Sequence, residues 1–216
     1  MKKITMMLIS FAGLTAVLGF LKQQPMQQNK VTGEYALRGI PEMVARFRFN
    51  ADNTFQFMYI YGASDRSAHG TYTVENDKVI LHGSKTASKD FELVEEKRSG
   101  NGITVSIADE NDMLLRNVVC YFIHKKDTLV AETNGEGIAT VTMPDCEEVQ
   151  LIHGYFPDVP TSYKIKGNSN NFFQFALKPS LTEVVFDHVQ LDIKDGNLYG
   201  SNIYLFGQAP VQFVKN

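Results

Sequence analysis

From residue 31 onward, apolar and polar side chains alternate with a period of two. No run of ten or more residues carries the three-to-four spacing of an amphipathic helix. Ala45, Phe47 and Phe49 face one way, while Val44, Arg46 and Arg48 face the other. Phe55, Phe57, Tyr59 and Tyr61 share one face of the next segment, between the Asp52-Asn53 turn and Gly62. With further alternation near 31–37, 71–75, 79–82 and 91–94, the pattern predicts about six strands before residue 98.

The polar, glycine-bearing run Lys97-Arg98-Ser99-Gly100-Asn101-Gly102 is the expected boundary. Beyond it the alternation restarts and predicts seven strands, near 103–107, 118–123, 129–133, 138–143, 149–153, 163–166 and 172–177. Their spacing suits a small sandwich. A tail follows. Residues 184–193 alternate, Asp195-Gly196-Asn197 signals a hairpin, and 198–206 and 211–214 supply one or two more strands. The tail over 184–216 returns to the first block, leaving the sandwich inserted in a barrel, or extends the sandwich, or forms a separate hairpin. Return would pair edges that are otherwise exposed.

Residues 1–30 carry an address rather than a fold. Lys2 and Lys3 precede an uncharged stretch from Ile4 to Leu21, the pattern of a secretory signal. Val17 and Gly19 suit the −3 and −1 positions, so the signal spans 1–19 and a polar linker spans 20–30. The rival is a retained anchor, since the stretch approaches the ~17–20 residues that cross a bilayer. The expected location is therefore the periplasm, the outer cell envelope or the exterior, with membrane contact only through the N-terminal segment before cleavage.

Composition narrows the function. The 216 residues hold 21 basic and 24 acidic side chains, so no basic excess marks a nucleic-acid binder. Net charge is +1 over 20–100, −4 over 101–179 and −2 over 180–216, which favours two modules over one graded chain.

The second block resembles the carboxypeptidase regulatory-like modules of the transthyretin-like (prealbumin-like) class. The likeness covers most of 101–179. It runs through the strand at 103–107, the acidic turn Asp109-Glu110-Asn111-Asp112, Leu114-Leu115, Asn117-Val118-Val119-Cys120-Tyr121 and the turn Thr133-Asn134-Gly135-Glu136-Gly137. It closes with Phe173 to Leu177 and Pro179. It departs from the family at Leu114, where a small residue or proline is usual. The resemblance implies a rigid, non-catalytic appendage. Residues 31–98 are similar to a lipocalin-like meander, through Gly33-Glu34-Tyr35, Phe47-Arg48-Phe49, Phe55-Gln56-Phe57 and Gly70-Thr71-Tyr72. The expected fold is thus all-β: an antiparallel lipocalin-like meander or partial barrel, plus a seven-stranded transthyretin-like sandwich.

Chemistry is sparse. His69, His82, His124, His153 and His188 fall in separate segments, and no nucleophile elbow or metal-ligand spacing occurs. The acids at 109–112 read as a solvated turn, and Gly135-Glu136-Gly137 as a hairpin. No catalytic residue, metal or cofactor is expected. Arg46 and Arg48 would meet an acidic ligand if their face lines a cavity. The row Phe55, Phe57, Tyr59 and Tyr61 is either core or the wall of an apolar or saccharide pocket. Cys120 and Cys146 are either bridged, which export permits, or buried thiols. The leading expectation is a non-enzymatic exported envelope protein. Its β modules bind or present an unidentified protein, glycan or lipid. The alternatives are a lipocalin-type carrier of a small apolar or acidic ligand, and a hydrolase with a cleft between the modules.

Overall fold

The computed structural model describes residues 31–62, 64–85, 90–167, 169–201, 203–207 and 210–216. The leader and linker expected over 1–30 lie outside them. Among the described residues sixteen strands follow one another: β1 (Gly33–Arg38), β2 (Met43–Phe49), β3 (Thr54–Tyr61), β4 (Ser64–Glu75), β5 (Lys78–Gly83), β6 (Phe91–Lys97), β7 (Ile103–Ala108) and β8 (Val118–His124). Then come β9 (Asp127–Glu132), β10 (Ile138–Val141), β11 (Glu148–His153), β12 (Phe156–Lys164), β13 (Phe172–Leu177), β14 (Asp187–Lys194), β15 (Asn197–Gly200) and β16 (Val211–Lys215).

Eight of them form a closed antiparallel barrel in the order β1-β16-β15-β14-β5-β4-β3-β2. The first block supplies five strands and the tail three. Closure is made at two seams: Leu37 pairs with Phe213, and Ile80 with Gln190. The hairpin turns follow from their residues. Asn76-Asp77 and Asp195-Gly196 hold positive φ at both central positions, the geometry that matches strand twist. At the β2–β3 turn, Asp52 Oδ1 accepts from the Thr54 amide and hydroxyl.

Between β5 and β14 the chain builds a two-sheet sandwich, with orders β10-β7-β13-β6 and β12-β11-β8-β9. The strand expected to end the meander belongs here. β6 pairs with β13 through Phe172–Lys97 and Leu177–Phe91, so the sandwich has eight strands and starts near Phe91, before the glycine-bearing run. That run is a turn inside the sandwich; its composition marks a loop, and only long-range pairing assigns a strand to a sheet. In the β9–β10 turn, Asn134 Oδ1 accepts from the Glu136 and Ile138 amides. Gly137 stands at φ 77°, where a Cβ would come within 2.7 Å of the Ile107 carbonyl oxygen.

Each unit has its own core. The barrel interior is filled by rings. Phe47 lies 4.6 Å from Phe57, 4.9 Å from Phe213 and 5.8 Å from Phe186, centroid to centroid. Phe186 is on no strand. It enters from the return segment and takes its place because Gly83 leaves room: the Gly83 amide donates to the Phe186 carbonyl at 2.6 Å. The sandwich core gathers Val105, Cys120, Phe122, Leu151, Phe173 and Phe175.

Cys120 and Cys146 are free, buried thiols, not a bridge. Cys120 pairs with Leu151, whereas Ile123 pairs with Glu148. Three strand positions put about 10 Å between those pairs, and Cys146 lies beyond, outside the ~7 Å Cα reach of a disulfide. Burial pushes the Cys120 thiol up to about 12. Alkylation without reductant is therefore expected to label neither thiol in the folded protein and both after denaturation. A native mass two hydrogen atoms lighter than the reduced chain would contradict this.

Candidate functional site

The sequence-derived site residues separate onto opposite sides of one sheet. Phe55, Phe57 and Tyr59 point into the barrel and are buried there, while Tyr61 is 49% exposed at the strand end. Arg46 and Arg48 point outward. Phe55, Phe57 and Tyr59 belong to the core, and the arginines stand on a groove of about 530 Å³ on the barrel's outer face, whose lining takes in Phe57 but not Phe55, Tyr59 or Tyr61.

The register builds that groove in rows across β1 to β4. Glu34 pairs with Arg48, Arg48 with Gln56, and Gln56 with His69. In the next row Arg46 pairs with Met58, and Met58 with Ser67. In the row beyond, Val44 pairs with Ile60. Glu34 approaches Arg46 only at 4.0 Å, and both side chains are close to half exposed. Such a pair contributes little. Arg48 has no ion-pair or hydrogen-bond partner among the described residues. The groove keeps an uncompensated positive charge beside Met58, and the exposed Val44 and Ile60 continue the sheet beyond its lining, in a row that Asp65 completes.

A second site lies where barrel and sandwich meet. Arg66 on β4 reaches Asp158 on β12 at 2.6 Å and the Glu183 carbonyl at 2.9 Å. Lys85 Nζ donates to Asp90 at 2.9 Å and to the same Glu183 carbonyl at 2.8 Å, with Asp158 at 3.5 Å. The Val185 amide donates to Asp158, the Ser180 hydroxyl to Asp90, and the Asp90 amide to Thr161 Oγ1 at 3.3 Å. All four charged side chains are at most 6% exposed. Two cations and two carboxylates balance, and each side chain is held by hydrogen bonds, the condition under which buried charge persists. The β13–β14 connection passes through this cluster at Glu183 and Val185, and Lys85 and Asp90 flank the β5–β6 connection. Above it, Tyr59, Tyr61, Tyr155, Pro157 and Leu205 line a crevice of about 240 Å³ whose floor includes Arg66.

Sequence reading missed the cluster because its members are up to 117 positions apart. One signal was present. Arg66 shares the phase of Ala68 and Tyr72, the buried face of β4. A charge in the buried phase of a strand requires a partner.

The remaining polar groups are structural. His153 is fully buried; its Nδ1 accepts from the Tyr155 amide at 3.2 Å, so Nε2 carries the proton toward the Leu114 carbonyl. Burial lowers its pKa. Tyr163 donates to Glu96 at 2.7 Å across the two sandwich sheets, and desolvation with that carboxylate raises its phenol to about 12. His82 and His188 rings meet edge to face at 4.6 Å, with Asp187 on His188, at the solvent-exposed bulge of β14. In the 109–112 turn, Asp109 accepts from the Asn111 amide and Asn111 from the Met113 amide. Among the described residues no three His, Cys, Asp or Glu side chains converge as an ion would require.

In comparisons with known proteins, no family model matches the chain and no curated protein is detectably similar to it.

Proposed function

We propose that this is a non-enzymatic, exported protein of the cell envelope that binds or presents through its outer surfaces. In this reading a lipocalin-like barrel carries a carboxypeptidase regulatory-like sandwich as a fixed appendage. The observation that carries it is the filling of both interiors. Phe47, Phe57, Phe186 and Phe213 occupy the space that a carrier would keep for cargo. The buried charge cluster supports the fixed appendage, because its four side chains come from β4, from β12 and from the two sides of the β5–β6 connection, and the β13–β14 connection adds the Glu183 carbonyl.

Export rests on Lys2, Lys3 and the uncharged stretch that follows them. Expression of the full chain with a C-terminal tag in a bacterial host tests it. The expected product is recovered from the envelope or periplasm with an N-terminus at Phe20. Recovery from the cytosol with residues 1–19 intact would contradict the reading.

A further inference from the structure

We propose that the outer groove of the barrel is a binding site for an amphiphilic anion: a carboxylate or phosphate headgroup on an apolar chain. The site lies outside the barrel, on the face opposite the aromatic core. The inference rests on the surface-acting reading above and adds a ligand class to it.

The order of the rows selects the ligand. At one end stand Arg48 and, one row on, Arg46. Arg48 lacks a partner among the described residues, and Arg46 has Glu34 only at 4.0 Å. One carboxylate facing two guanidinium groups leaves a net positive charge, which an incoming carboxylate or phosphate meets with paired N–H donors. Along β2 and β3 from that end, the exposed side chains become Met58 in the groove and then Ile60 and Val44 beyond it, each 38–48% exposed, while β4 closes these rows with Ser67 and Asp65, so a chain would lie over β2 and β3. Arg48 and Val44 are four residues apart on β2, so charge gives way to apolar surface over roughly 13 Å. An anion without a chain leaves the apolar end uncovered, and a neutral chain leaves Arg48 unmet. The groove is concave and its 530 Å³ lies within the range of small-ligand sites, about 300–1,000 Å³.

Calorimetric titration with dodecanoate, dodecyl phosphate and the uncharged dodecyl glucoside, each kept below its micelle concentration, tests the site. At least one of the two anions is expected to bind, and to bind more tightly than the glucoside. The two anion arms report which headgroup the arginines prefer. Arg48→Glu is expected to weaken anion binding by roughly ten- to a hundredfold, the scale of one charge-assisted hydrogen bond, and to leave glucoside binding unchanged. Met58→Glu is expected to weaken all three. Both positions are exposed, so thermal melting should stay near that of the parent protein. A shift of the Met58 methyl resonance on titration, with the interior Leu81 and Leu191 methyls unmoved, places the ligand outside.

The proposal is overturned if neither anion binds, or if both bind Arg48→Glu as they bind the parent. It is equally overturned if the interior methyls move, or if the protein sediments with anionic phosphatidylglycerol vesicles while ignoring the monomeric anions. None of these results bears on export, which the N-terminal mass decides separately.

Discussion

Replacing Asp158 with alanine is expected to lower stability by about 3–5 kcal/mol, the cost of leaving a buried charge without its partner. Asp158 accepts from Arg66, from Lys85 and from the Val185 amide, and its side chain is 1% exposed. Without it, the Arg66 guanidinium stays buried over the Phe156 ring beside the Glu183 carbonyl, having lost the carboxylate it meets at 2.6 Å. In a chain of this size the loss corresponds to a fall in Tm of very roughly 6–20 °C. The cluster is shared by barrel and sandwich, so both units should unfold in one transition in the parent protein. The double variant Arg66→Met with Asp158→Leu is expected to be more stable than Asp158→Ala alone, because it removes both charges together. Circular-dichroism melting of the three proteins checks this. An Asp158→Ala protein within 1 kcal/mol of the parent would show that the cluster does not hold the junction.

Phe186→Ala is expected to cost about 3–5 kcal/mol, the usual range for emptying a ring from a packed core. Phe186 is 2% exposed and its ring lies 5.1 Å from Phe57, 5.8 Å from Phe47 and 5.8 Å from Phe55. Its loss removes the one ring that the return segment contributes to the barrel from outside the strands. The segment is held there by close backbone packing. A Cβ on Gly83 would stand 3.1 Å from the Phe186 amide nitrogen, and one on Gly70 would stand 2.1 Å from the His82 carbonyl oxygen. Gly70→Ala therefore requires the β4 and β5 backbones to part and is expected to destabilise as well. Chemical denaturation measures both. A loss below 1 kcal/mol for Phe186→Ala would show that the return segment does not plug the barrel.

Much of the barrel was legible in single residues. The alternation of Phe55, Phe57 and Tyr59 with Gln56 and Met58 sets which face is buried, because a strand's side chains have a strict period of two. Asn76-Asp77 and Asp195-Gly196 set where hairpins turn. What the alternation does not contain is partnership. Residues 91–97 look the same whether they pair with β5 or with β13, and only the long-range choice put them in the sandwich. For the same reason the sequence left open whether the tail joins the first block. The groove was legible in part: Arg46 and Arg48 share a phase, but the outward direction of that phase depends on the barrel closing behind it. His69 and Gln56 join them through cross-strand register alone. The junction cluster was hidden further still, since Lys85, Asp90 and Asp158 lie in loops and on a strand of different sheets.

A surface-acting protein needs a barrel with no vacant interior, and methyl NMR under xenon pressure asks for that vacancy directly, because xenon enters empty apolar cavities. The expected result is that the Val79, Leu81, Leu191 and Leu198 methyls, all fully buried in the barrel, keep their positions as xenon is raised. Saturable shifts at those methyls would reveal an open chamber and return the molecule to the class of interior carriers.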